Sequence, residues 1–185
     1  IHYQLKKSIP EAVQAHKLLI TLLSNVAFYM RSDGYISDNE DNIKSVLEKF
    51  VGSDNLDFVS RLALQSGLLN IDIVSNDFHF VSFIHETFQE YLAALHIAIV
   101  YKDTGKFCVP TYHYLWQEPL KSTLEILTHD ADGERIVNLM DCLNKSYLEG
   151  SDDRYINQYL PMMVDACNDV AEHNDICASW LEQYV

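Results

Sequence analysis

Apolar side chains recur at helical spacing at Leu18, Leu22, Val26 and Tyr29, with Leu19 and Leu23 alongside, and predict a helix over residues 11–31. Pro10 suits its first turn, and Ser32-Asp33-Gly34 ends it, with Gly34 as a left-handed stop. The run Ile36-Ser37-Asp38-Asn39-Glu40 offers a cap to a second short helix whose stripe is Ile43, Val46, Leu47 and Phe50. Gly52-Ser53-Asp54 breaks the chain again. A third helix over residues 56–66 then turns Val59, Leu62 and Ala63 inward and stops at Gly67. The period next changes from helical to alternating. Leu69, Ile71 and Ile73 alternate with Asn70, Asp72 and Val74, and Phe78, Phe80 and Ser82 alternate with His79, Val81 and Phe83, across a Ser75-Asn76-Asp77 turn. Three short helices followed by a hairpin is the order of a winged helix.

A fourth helix is predicted from near His85 to about Tyr101, with Ile84, Phe88, Tyr91, Leu92, Leu95 and Ile99 as a wide apolar stripe. Within it Phe83, Phe88, Tyr91 and Leu92 read as core. Asp103-Thr104-Gly105-Lys106 interrupts, and every later signal is helical. Residues 116–127 place Leu120, Leu124 and Leu127 on one face. Residues 134–145 carry Ile136, Leu139, Met140 and Leu143. Residues 152–169 carry Tyr155, Tyr159, Leu160, Met163 and Val164, and residues 170–185 carry Ile176, Trp180, Leu181 and Tyr184. The expected fold is therefore mainly α. A winged-helix domain occupies residues 1–101, made of three helices, a hairpin and a following helix. A helical, solenoid-like array occupies residues 102–185, although no clean repeat period is visible.

Composition narrows the setting. Nearly half of the 185 residues are hydrophobic and glycine and proline are sparse, so a sizeable core is expected. No apolar run reaches the roughly 18 residues of a membrane span. The opening Ile1-His2-Tyr3-Gln4 does not read as a signal peptide, and the missing initial Met suggests an excised or trimmed segment. Cys108, Cys142, Cys167 and Cys177 form no C-x-x-C pair and read as free, mostly buried thiols of a cytoplasmic protein. The net charge is −14, shared as −5 up to residue 101 and −9 beyond it, so both parts repel a nucleic-acid backbone.

Charge also weighs against the commonest use of a winged helix. A DNA-reading helix needs Lys, Arg, Asn or Gln on its exposed face. The third helix offers only Arg61 and Gln65, beside Asp54 and Asp57, and the wing turn carries no cation. His85-Glu86 is not followed by a second His at position 89, so an H-E-x-x-H zinc site is absent, and no G-x-S-x-G elbow is present. His85, Gln89 and His96 lie broadly on one helix flank, but Gln is a poor metal ligand. No metal site is expected. His85 itself stands at the junction of strand and helix. The partial positive charge of a helix start favours a neutral imidazole, which can donate a hydrogen bond to a phosphate oxygen. From spacing alone His85 is either such a donor or a structural histidine.

The segment Phe83-Ile84-His85-Glu86-Thr87-Phe88-Gln89-Glu90-Tyr91-Leu92-Ala93-Ala94, F-x-H-x-x-F-Q-E-Y-L-A-A after a hairpin, resembles the end of the winged-helix domain of NACHT-type STAND NTPases, the group that includes NOD-like receptors. Leu64-Gln65-Ser66-Gly67-Leu68-Leu69 resembles the same domain, where a helix ends in Gly-Leu-Leu before the wing. The resemblance spans about residues 15–101. Beyond that it is one of character only, an aromatic-led array headed by Tyr114-Leu115-Trp116. It implies that His85 contacts the β-phosphate of bound ADP and helps lock a closed, inactive state. It implies for Phe83, Phe88, Gln89, Glu90 and Tyr91 a structural role, the last three holding the helix against the wing and adjoining helical region.

The chain departs from that family in one respect that bears on chemistry. It contains neither the Walker A loop G-x-x-x-x-G-K-[ST] nor a Walker B acidic cluster, and Gly105-Lys106 runs into Phe107. No catalysis is expected from the chain alone. The resemblance implies a regulatory part of a larger signalling ATPase, whose ADP or ATP and Mg would be held by an upstream nucleotide-binding domain. Other protomers would join on activation by an unknown trigger. No membrane partner is expected. Two further readings are an acidic helical protein-interaction module, with Tyr112, Tyr114, Trp116, Tyr155, Tyr159, Trp180 and Tyr184 as aromatic anchors, and, with less support, DNA binding through the winged helix.

Overall fold

The structure, a computed structural model, describes residues 9–75, 78–104 and 114–129, together with Asn138 and Glu182. It is mainly helical with a small three-stranded antiparallel sheet. The helices expected over residues 134–145, 152–169 and 170–185, and all four cysteines, lie outside the described residues. By its internal contacts the chain divides into two compact units, Ile1–Ala93 and Ala94–Val185, and the division falls inside one helix.

In the first unit, α1 (Ile9–Ser32) ends as its sequence demands. Gly34 takes φ +76°, Gly34 N–H donates to Arg31 O at 3.2 Å and Tyr35 N–H to Met30 O at 2.7 Å. This paired closure satisfies carbonyls that the last turn would leave open, and glycine is the residue that adopts that φ without strain. The chain then forms β1 (Ser37–Asn39), a strand where the sequence suggested only a cap. Both descriptions hold at Asn39. It pairs with Phe80, and its side chain accepts the Asp41 N–H at 2.8 Å to cap α2 (Glu40–Val51). Gly52, at φ +72°, separates α2 from α3 (Ser53–Gln65). The hairpin β2 (Leu69–Ser75) and β3 (Phe78–Phe83) follows, and β3 lies between β1 and β2.

Leu22, Leu23, Val26, Ala27 and Met30 of α1 are buried, as are Ile43, Val46 and Leu47 of α2 and Val59 and Ala63 of α3. Leu69, Val81 and Phe83 add the inner face of the sheet. One member of each of the α1 and α2 stripes behaves differently: Leu18 and Phe50 are exposed. α4 (Glu86–Thr104) starts from this unit with Leu92 and Ala93 buried.

In the second unit, α4 buries Ala94, Ile97, Ala98 and Tyr101. A 3-10 turn at Tyr114–Trp116 leads into α5 (Gln117–His129). α5 buries Leu120, Leu124 and Leu127, the predicted face, and Trp116 is fully enclosed. Thr123 is buried too. Its hydroxyl donates within α5 to Pro119 O at 2.7 Å and lies 3.3 Å from Ala94 O.

Candidate functional site

His85 stands immediately before α4 and is exposed. Its backbone carbonyl accepts the Phe88 N–H at 3.1 Å, and its ring Nδ1 accepts the Thr87 N–H at 3.2 Å. The imidazole therefore occupies the place of an N-cap side chain, closing one of the helix's open donors. Accepting at Nδ1 leaves that nitrogen without a proton, so the neutral ring carries its hydrogen on Nε2. A single N–H donor is thus held at the positive end of a long helix.

The residues that follow His85 are anchored from behind. Arg31, in the last turn of α1, is buried at 5% exposure. Its Nη1 donates to Gln89 Oε1 at 3.2 Å, and its Nη2 reaches Glu90 Oε1 at 2.8 Å and Glu86 Oε1 at 3.3 Å. Gln89, almost wholly buried, donates through Nε2 to Tyr35 O at 3.1 Å. The turn closed by Gly34 presents that carbonyl. Sequence reasoning missed Arg31 altogether. The signal for it lay in the motif itself: two acids four residues apart, Glu86 and Glu90, flanking an amide that the helix buries.

Burial overturns part of the expected core. Phe83 and Leu92 are buried, but Ile84, Phe88 and Tyr91 are 44%, 44% and 50% exposed. The helical face that points inward is instead Gln89, Leu92 and Ala93. Alanine lets the helix backbone approach closely, and the glutamine is admitted because both ends of its amide are paired. The row Ile84, Phe88 and Tyr91 therefore lies on the outer surface, next to the exposed His85 along the chain.

A second polar cluster joins α2 to β3. Glu40 Oε2 lies 2.7 Å from His79 Nδ1 and Glu40 Oε1 lies 2.9 Å from Lys44 Nζ. The hydrogen bonds from Lys44 and then His79 hold the Glu40 carboxyl below its usual range, and the bond to Glu40 raises Lys44. Next to it α2, α3 and the sheet line a small, partly open cavity of about 10 Å³, bordered by Ile43, Leu47, Ser60, Ala63, Leu69 and Val81. Ser60 Oγ is buried there without a hydrogen-bond partner among the described residues.

His96 is half-buried, and that burial pushes its pKa down. Among the described residues no three His, Cys, Asp or Glu side chains are grouped to hold a metal ion, and no helix is long and apolar enough to cross a membrane. On α3, Arg61 is exposed and its Nε donates back to Asp57 O at 3.0 Å. Compared with protein-family models, curated proteins and solved structures, the chain matches none.

Proposed function

We propose that the first unit is the winged-helix regulatory part of a NACHT-type STAND NTPase, and that His85 senses the nucleotide held by a separate nucleotide-binding domain. The observation that carries this reading is the hydrogen bond that orients the His85 ring at the start of α4. With Nδ1 engaged by Thr87 N–H, the ring offers Nε2–H outward from a helix start. That is the hydrogen-bond donor a β-phosphate oxygen requires. The order helix, strand, helix, helix, hairpin, helix supports the same reading, as does the exposed row Ile84, Phe88 and Tyr91, an apolar surface on which a nucleotide-binding domain would close.

In this mechanism ADP bound upstream accepts the Nε2–H of His85 and keeps the domains closed. Exchange of the nucleotide removes the contact, and the regulatory part swings away to permit oligomerisation. The chain performs no hydrolysis; the parent protein does. A hydrogen bond to a charged phosphate contributes about 1.5–3 kcal/mol, enough to shift a two-state equilibrium tenfold or more.

His85→Ser in the complete protein tests this directly. Serine keeps an oxygen that can cap α4 but cannot reach the phosphate, so it separates the two duties of the imidazole. The ADP dissociation rate should rise about tenfold or more, with more oligomer in the resting state. An unchanged ADP dissociation rate and an unchanged oligomeric state would overturn the proposal.

A further inference from the structure

The outer edge of the hairpin carries a row of apolar side chains that no other described strand pairs with. β2 is an edge strand, since β3 separates it from β1. Its direction of pairing follows from one bond. Ile84 N–H donates to Leu68 O at 3.0 Å, so Leu68 faces Ile84 in a hydrogen-bonded pair. Hydrogen-bonded pairs recur at every second residue of an antiparallel ladder. Asn70, opposite Ser82, and Asp72, opposite Phe80, are therefore the residues that bond to β3. Leu69, Ile71 and Ile73 turn their N–H and C=O groups outward, away from the sheet.

The side chains of this edge are equally unusual. Leu69 is buried, but Ile71 and Ile73 are 39% and 72% exposed on the same face, continuing the apolar row beyond the core. Asp72 projects from the opposite face and is the only charged side chain of β2. The irregular register between Ile73 and Ser75 ends the regular edge there. Long apolar edges are normally blunted by Lys or Pro, and β2 contains neither.

We propose that this edge is a docking site for an extended, basic segment of a partner protein, which adds a fourth strand beside β2. The backbone groups of Ile71 and Ile73 pair with the incoming strand. Apolar residues of that strand pack against Ile71 and Ile73, and a Lys or Arg between them faces Asp72 across the strands. The recognised pattern is apolar–basic–apolar. Charge selects the partner over a second copy of the chain, because each copy carries −14.

The test is fluorescence anisotropy of a labelled alternating valine–lysine peptide titrated with the 185-residue chain, against a shuffled peptide of the same composition and a valine–glutamate peptide. The alternating basic peptide should bind tightest. Ile73→Pro removes an outward N–H while sparing the ladder to β3, and should weaken binding more than about tenfold. Asp72→Lys should weaken the basic peptide about threefold and improve the acidic one by a similar factor. On the unaltered chain, peptide addition should slow amide exchange at Ile71 and Ile73, which keeps the proposal testable should Ile73→Pro disturb the fold. Equal binding of the shuffled peptide, wild-type affinity in Ile73→Pro, or no change in exchange at Ile71 and Ile73 would each overturn it. So would a dimer of the chain in sedimentation that Ile73→Pro dissolves, which would assign the edge to a second copy.

Discussion

Replacing Arg31 should be strongly damaging to the first unit, and the structure sets its size. The guanidinium side chain is 4% exposed, whereas its partners differ: Glu90 is 18% exposed and Glu86 is 48% exposed. The bond to Glu86 lies near water and contributes little, because solvent screens such a pair. The bonds to Glu90 at 2.8 Å and Gln89 at 3.2 Å are the ones that matter. Arg31→Met keeps much of the apolar stem but leaves the Glu90 carboxylate and the Gln89 amide oxygen facing an apolar chain. Breaking a buried pair on one side costs about 3–5 kcal/mol. Glu90 keeps some exposure, so the lower end, about 3 kcal/mol, is expected.

Urea unfolding followed by far-UV circular dichroism measures this loss, and a second variant checks its origin. Arg31→Met combined with Glu90→Leu removes both charges. A pair replaced by apolar residues of similar size is close to neutral, so the double variant should recover about 2 kcal/mol of the loss. Two results would refute the reasoning. A cost for Arg31→Met below about 1 kcal/mol would place the pair among solvent-screened contacts. A double variant no better than the single one would mean that lost packing, rather than a stranded carboxylate, is what destabilises the protein.

Three other outcomes follow from the polar groups of the same unit. Ser60→Ala removes a buried hydroxyl without a partner and places the best helix former inside α3, so stability should rise by about 1 kcal/mol in urea titration; a loss would show that the hydroxyl is satisfied. Glu40 has a folded pKa below its usual value of about 4.5, so its contribution is present above pH 4.5 and fades as the pH falls through the lower folded value. Glu40→Gln should therefore cost stability at pH 7 and show a flatter acid limb, and parallel acid limbs in the two proteins would exclude this. Tyr29 is pushed up to about 12 by burial and by the carboxylates of Asp38 and Asp33, from an ordinary value of 10. Its contribution is complete below pH 10 and is lost as pH rises from about 10 to about 12, so Tyr29→Phe should flatten that alkaline decline in stability.

The sequence pattern predicts the described helices and the hairpin because each rests on local information. The stops at Gly34, Gly52 and Gly67 are all positive-φ glycines, and the change of period at Leu69 coincides with the start of β2. β1 escapes such reading because Ser37, Asp38 and Asn39 have no strand preference of their own. They become a strand only because β3 lies alongside, with Asp38 opposite Val81. The inverted faces of α4 have the same kind of cause. Ile84, Phe88 and Tyr91 satisfy helical spacing, and hydrophobicity alone assigns that row to the core. Which row turns inward is decided instead by a guanidinium 58 residues from Gln89 and a carbonyl 54 residues from it. Those two partners pair both ends of the buried amide, which removes most of the cost of enclosing it, while Leu92 and Ala93 close the contact around it. The row released to the surface lies next to His85 along the chain. The packing that holds Gln89 inside is thus what leaves an apolar row exposed next to the His85 ring, the juxtaposition on which the proposed nucleotide-sensing role rests.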